Sequence, residues 1–302
     1  MSASAPTRPL PRAAQRAAPL PLSADVLATD GSFAGLLCAY GHAHRAGRLP
    51  AAVETRGVAR DGHLFGAPVP VETEAALAGR VERGLERVRP GLVGRLFRAF
   101  LSERPGIETA ILRLIDAVAV DGAAAAEDWA FAPTREVARW AQRVGREAHR
   151  MEAFVRFERH HAAELPADEL PGLGGAELGE AGRERWVARV RPEVHVLPLL
   201  TEHFASRYPA LRWAIVDDAR GLALVHDTPA AERAPDAAPT RIVPVSSLPA
   251  LAPAADEEAY QRMWRAYFRA VDIPERRNLR LHLRHVPKRY WPLLTEKQDD
   301  GR

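Results

Sequence analysis

The 302-residue chain has a single cysteine, Cys38. It can form no internal disulfide, and it cannot by itself ligate an iron-sulfur cluster or a cysteine zinc knuckle. Lysine is almost as scarce: of 42 basic residues only Lys288 and Lys297 are lysine, and the rest are arginine. No run of about 18 apolar residues occurs, so no helical membrane span is expected. The opening MSASAPTRPLPRAAQRAAPLPL is interrupted by prolines and lacks the continuous apolar stretch of a secretion signal. Also missing are a P-loop, HExxH, Cys-x-x-Cys and Gly-x-Ser-x-Gly. The GLGG at 172–175 lacks the strand and helix that flank a dinucleotide fingerprint. The expectation is a cytoplasmic protein with no membrane partner, no metal and no cofactor.

What is present suits a globular core: 47% of residues are hydrophobic and 27% charged. Net charge is only +3, although the excess of arginine carries the isoelectric point to 9.3. Abundant arginine and alanine first of all reflect a GC-rich genome. Their placement is therefore more informative than their number.

Residues 1–22 read as a flexible basic tail and 23–294 as one α+β domain. Its parts are helical over about 73–151, strand-rich over 153–245, and basic and helical over 256–294. A short strand ends near Thr29, Asp30-Gly31 turns, and a helix capped by Ser32 or Asp30 turns Phe33, Leu36 and Leu37 inward. An irregular stretch runs to about Val71. Helices are predicted at Thr73–Val88, Leu92–Ser102, Ile107–Val120 and, most strongly, from Pro133 to Met151. FVRFE and RWVARVRP read as strands, LRWAIVDDARGLALVHD as a hairpin turning at Asp217–Gly221, and TRIVPV as an edge strand. Loops are expected at about 163–181 and 228–240. This order predicts an α+β fold: a mostly antiparallel sheet of four or five strands packed with several helices, and a helical C-terminal segment.

Arginine is concentrated in two places. Arg135, Arg139, Arg143, Arg146 and Arg150 fall within about 80° of one helical wheel, opposite the apolar face. Like charges at i,i+4 oppose the helix by about 0.2–0.5 kcal/mol per pair, so anions are expected to compensate, either phosphates or carboxylates of the fold. From Met263 to Leu294 there are Arg or Lys at eight positions and acids only at Asp272 and Glu275. On the helix from Glu258 to Val271, Tyr260, Met263, Trp264, Tyr267, Phe268 and Val271 share a face and read as core. Arg276, Arg280 and Arg284 form one stripe if the next segment is a short helix ending before Pro287. Arg277, Lys288 and Arg289 add charge, and Tyr290, if exposed, is placed to stack on a base.

Signals for catalysis are sparse. An acid-base pair could be drawn from Glu147, His149, His195, His203 and Asp217. His282 and His285 could share a helical face, and His160-His161 is a surface-like pair, but neither comes with a carboxylate at metal-ligand spacing.

Five segments together carry a resemblance: TDGSFAGLLCAY, LFRAFLSERPGIETAILRLI, RVGREAHRMEAFVRFE, VLPLLTEHFASRYPALRWAIVDDARGLALVHD and MWRAYFRAVDIPERRNLRLHLRHVPKRYWPLL. In that order they resemble a bacterial family of unknown function associated with DNA repair or DNA metabolism. The resemblance spans about Asp25 to Leu294. It implies a setting in which members are encoded beside a radical-SAM protein, and some are fused to a uracil-DNA glycosylase-like domain. The implied partners are DNA and the radical-SAM protein.

The expectation is a nucleic-acid-binding accessory protein. Its phosphate contacts are Arg139, Arg143, Arg146, Arg150, Arg276, Arg277, Arg280, Arg284, Lys288 and Arg289, with Tyr290 beside them. Two alternatives stay open: an enzyme acting on DNA through His149 or His195, and an assembly subunit that docks an acidic partner protein.

Overall fold

A computed structural model describes residues 26–55, 67–162, 184–227, 239–248, 251–273 and 278–298. The expected tail, most of both expected loops, GLGG, Arg276 and Arg277 lie outside the described residues, as does the side chain of Arg284. The chain divides into two compact units, Met1–Arg146 and Glu147–Arg302.

In the first unit, strand β1 (Val26–Thr29) leads into helix α1 (Phe33–Ala46). The turn requires Gly31, whose φ is +82°. Ser32 is the N-cap, its Oγ accepting from the Gly35 amide at 2.9 Å, while Asp30 accepts from the Ser32 amide and hydroxyl and from Thr73. Burial alone would raise the Asp30 carboxyl, but those hydrogen bonds outweigh it and hold it below the ordinary carboxylate range.

The stretch expected to be irregular contains two short strands, β2 (Ala52–Thr55) and β3 (Val69–Pro70), both parallel to β1 in a sheet of order β2-β1-β3. Helices α2 (Ala75–Val88), α3 (Leu92–Phe100) and α4 (Ile107–Asp121) follow close to the predicted positions. Leu27, Leu36, Val81, Leu96, Ile111 and Leu114 close the core between them. Helix α5 (Ala132–Phe154) contains the division between the units.

In the second unit, β4 (Glu158–Ala162), β5 (Glu184–Val190), β6 (Trp213–Asp217), β7 (Leu222–His226), β8 (Thr240–Pro244) and β9 (Leu251–Pro253) form one sheet of order β8-β7-β6-β5-β4-β9. The fold is α+β as predicted, and this sheet is antiparallel except for β5 and β6. Helix α6 (Leu197–Arg207) lies between those two strands in sequence and provides the crossover that a parallel pair needs. Strand β6 is buried at every position, as a central strand covered on both faces must be.

The β6–β7 hairpin turns where expected, with Asp217 accepting from the Ala219 amide and Gly221 at φ +62°. Strand β8 is an edge, as Pro244 required.

FVRFE is not a strand. Helix α5 continues through Phe154 because Ala148 and Met151 extend its buried face, and pairing begins only at Glu158. Helices α7 (Glu257–Ala270) and α8 (Leu279–His285) complete the regular elements, and a 3-10 segment, Lys288–Leu293, follows. The α8 helix matches the expectation of a short helix before Pro287. Asn278 caps it by accepting from the Leu281 amide at 2.9 Å.

Candidate functional site

In the first unit, Pro133 occupies the first turn of α5, where its missing N–H costs no hydrogen bond, and Val137, Ala141 and Val144 are buried. On the other side Arg135, Arg139, Arg143 and Arg146 are exposed. Arg135 turns back to the chain entering the helix, its Nη1 donating to the carbonyls of Trp129 at 2.6 Å and Ala130 at 2.7 Å. The Arg139 and Arg143 guanidinium carbons lie 5.1 and 5.4 Å from the centre of the Trp140 ring, and Arg104 approaches the same ring at 4.8 Å.

Arg98 of α3 is exposed too, and a Cβ at Gly145 would sit 3.8 Å from its Cδ. Among the described residues, Arg98, Arg104, Arg139 and Arg146 are paired with no carboxylate. Three guanidinium groups at one indole gain about 0.5–1 kcal/mol each from the ring, yet they repel one another. Neither Arg104 nor Arg139 has a carboxylate among the described residues, so an anion at those two would relieve the repulsion.

The second unit treats its cations differently. Glu147 is buried, and its carboxylate accepts from the Tyr290 hydroxyl, from Arg289 Nη2 at 3.0 Å and from Arg150 Nη1 at 3.4 Å. The Glu193 amide donates to it at 3.4 Å, and Arg289 Nη1 reaches the Glu193 carboxylate at 3.3 Å. Burial, reinforced by the Glu147 charge, pushes the Tyr290 hydroxyl well above its ordinary pKa. Tyr290 is 2% exposed, with its ring 5.2 Å from that of Phe154, so it offers no face to a base. Arg150 and Arg289, read from the sequence as phosphate contacts, and Tyr290, read as a base platform if exposed, meet at an internal carboxylate.

Also in the second unit is an open groove of about 1120 Å³ along α7. Trp186 of β5 and Trp213 of β6, opposite each other in the parallel pair, line it. Tyr260, Met263, Trp264 and Tyr267 form its helical wall and are 54%, 66%, 40% and 58% exposed. This overturns their reading as core. The helix is amphipathic as predicted, but its apolar face borders the groove instead of being covered.

Fixed ion pairs frame the groove. Arg156 Nη2 holds Glu296 at 2.8 Å, Trp264 Nε1 donates to the same carboxylate at 3.1 Å, and Arg159 pairs with Asp256. Burial alone would raise the Glu296 carboxyl, but Arg156 and Trp264 outweigh it and keep it low. Arg207 is exposed, donates to the Tyr208 hydroxyl at 3.2 Å and has no carboxylate partner among the described residues.

The remaining candidates are dispersed. Arg280 and Lys288 are exposed, the latter with its Nζ 5.9 Å from the Trp291 ring centre. His149, 86% exposed, touches Glu152 at 3.0 Å on the helix surface. Asp217 is buried and bound by Arg220 at 3.0 Å within its own turn. His195 is half-buried in the segment before α6, and His203 lies on α6 with its ring 4.9 Å from that of Phe204. No hydrogen bond or ion pair joins Glu147, His149 and Asp217 to one another among the described residues. His282 and His285 both line a second cavity, of about 840 Å³, with Trp291 and Lys297. No cluster of His, Cys, Asp and Glu among the described residues could hold a metal ion. No helix among them is long and apolar enough to cross a membrane.

A family model described as a domain of unknown function, DUF4130, matches residues 105–296, well over half of the chain. The chain belongs to this family. The DUF4130 match takes in the whole of α5, the Glu147 cluster and the groove, whereas β1 to α3 precede it. No curated protein and no solved structure matches the chain.

Within the DUF4130 segment the groove wall is what sequence reasoning missed. No local signal marked it, because Tyr, Trp and Met fill buried helix faces as well as open ones.

Proposed function

We propose that the protein binds DNA and acts as an accessory in DNA repair or DNA metabolism, serving a radical-SAM partner enzyme. In this reading the exposed arginines of α5 and its surroundings neutralise backbone phosphates. The observation that carries it is the exposure of Arg98, Arg104, Arg139 and Arg146 in one unit with no carboxylate partner among the described residues, Arg104 and Arg139 both at the Trp140 ring. Fixed cations on a regular helix contact phosphate without reading sequence, so binding should be general and salt-dependent. The family resemblance supplies the DNA setting and the radical-SAM partner. A cytoplasmic location accords with both.

Fluorescence anisotropy of labelled single-stranded, double-stranded and uracil-containing DNA across a salt series tests this reading. Contacts from these four, Arg98, Arg104, Arg139 and Arg146, give a slope of log K against log salt of about −3.6 on duplex, or roughly 150-fold weaker binding at 200 mM than at 50 mM salt. Replacing Arg104, Arg139 and Arg146 by Gln should lower that slope by about 2.7 on every sequence alike. A flat salt response, or full affinity in the triple variant, refutes it. Loss of binding to an acidic protein partner instead of DNA would assign the same face to assembly.

A further inference from the structure

We infer that the groove along α7 is a second nucleic-acid site, and that its occupant is the unpaired bases of a single strand. This rests on the reading of the protein as DNA-binding and names the form of DNA it takes. The rings of Tyr260, Trp264 and Tyr267 follow one face of the helix at spacings of four and three residues, and all three are open to solvent. A rise of about 1.5 Å per residue puts Tyr260 and Trp264 about 6 Å apart along the axis. The Trp264 and Tyr267 ring centres are 5.8 Å apart and tilted by 34°. Both separations exceed the stacking distance of a duplex, about 3.4 Å per step, so the platforms suit a strand whose bases are spread and stacked singly on side chains.

Charge is arranged to match. Of the acids that line the groove, Glu257 accepts from the Arg159 amide at 2.9 Å and from Gln261 at 3.4 Å, whereas the Glu158 carboxyl has no hydrogen-bond or ion-pair partner among the described residues and is raised by burial and by the Glu257 charge. The interior thus presents flat apolar faces and, at Glu158, one uncommitted carboxyl that can hydrogen-bond the edge of a neutral heterocycle. Arg207, also lining the groove and lacking a carboxylate partner among the described residues, is the cation for the phosphate that accompanies the base. Duplex DNA has its bases stacked internally and cannot use these platforms.

The test is binding of the full chain to an oligothymidylate, to a duplex and to a short apolar peptide. Anisotropy and tryptophan fluorescence are read for wild type, Tyr260→Ala, Tyr267→Ala and the triple Arg104, Arg139, Arg146→Gln variant. Both tyrosines are on the surface, so the variants keep the fold. Each tyrosine change should weaken oligothymidylate binding roughly tenfold and leave duplex binding unchanged. In wild type, the oligonucleotide should quench tryptophan emission.

If the tyrosine variants bind the oligonucleotide as wild type does while the arginine variant loses it, the groove inference is overturned and the phosphate reading stands. If no form binds any DNA, both fall. Peptide binding that the tyrosine changes abolish, without an effect on DNA, would give the groove to a protein and also overturn the inference.

Discussion

Removing the Glu147 carboxylate should detach the C-terminal segment from α5. Glu147 is 4% exposed at its side chain and is the common acceptor for Tyr290, Arg289 and Arg150. Glu147→Ala leaves a buried hydroxyl and a guanidinium without their acceptor. Deleting one partner of a buried pair costs about 3–5 kcal/mol. Arg289 is 37% exposed and can turn to water or to Glu193, so the lower end, about 3 kcal/mol, applies.

Tyr290→Phe keeps the ring against Phe154 and removes one hydrogen bond to a charged group, about 1.5–3 kcal/mol. Because the two residues share one bond, the double variant should lose less than the sum by at least about 1 kcal/mol. The two units can unfold separately, so urea denaturation is best read by hydrogen exchange at the amides of Tyr290 and Leu294. Those amides donate to Pro287 and Trp291 at 3.0 and 3.1 Å. Wild-type protection at both amides in Glu147→Ala, with under about 1 kcal/mol lost, would refute the idea that this cluster holds the segment.

Three further outcomes are expected. Burial alone would raise the Asp227 carboxyl, but Arg185 and Arg241 outweigh it and hold it low, as Arg156 and Trp264 do for Glu296. Both folded values lie below the unfolded ones. Their contribution is therefore present above about pH 4.5 and is lost as pH falls through the folded values; Asp227→Asn should flatten a melting-temperature profile measured from pH 7 to pH 3. Gly35→Ala puts a Cβ against Asp30 Oδ1 and 2.9 Å from Thr73 Oγ1, so it should disrupt the α1 cap and lower stability by about 1–2 kcal/mol in urea titration of the first unit. Arg150→Gln should leave the salt slope of DNA binding unaltered, whereas Arg146→Gln should reduce it by about 0.9.

Local chemistry made much of the fold legible. Ser32 and Asp30 marked the start of α1, Pro133 that of α5, and Asp217 to Gly221 the hairpin, because each of those conformations is set by the residues that adopt it. Strands β2, β3 and β9 were not legible, since two to four residues show no alternation and are specified only by a distant partner. The placement of Arg139 and Arg146 on an exposed face followed from helical spacing alone. The fate of Arg289 and Tyr290 did not, because their acceptor, Glu147, lies 142 and 143 positions away. Nor was the open face of α7 legible: periodicity identifies an apolar side but not whether anything covers it.

The pairing of β4 with β9 has a consequence for how the protein is made. His161 stands opposite Ala252, roughly 90 residues later, and the groove wall α7 begins a few residues beyond β9. Such a long-range closure is slow compared with hairpins and helix pairs, whose partners are already near. On the ribosome, the first unit has its whole sequence before β9 exists, and until then the outer edge of β4 stays open to pairing with another chain. The groove is therefore among the last features to form, and release before Tyr260 would yield a chain with its arginine face complete and the aromatic residues of the groove's helical wall absent.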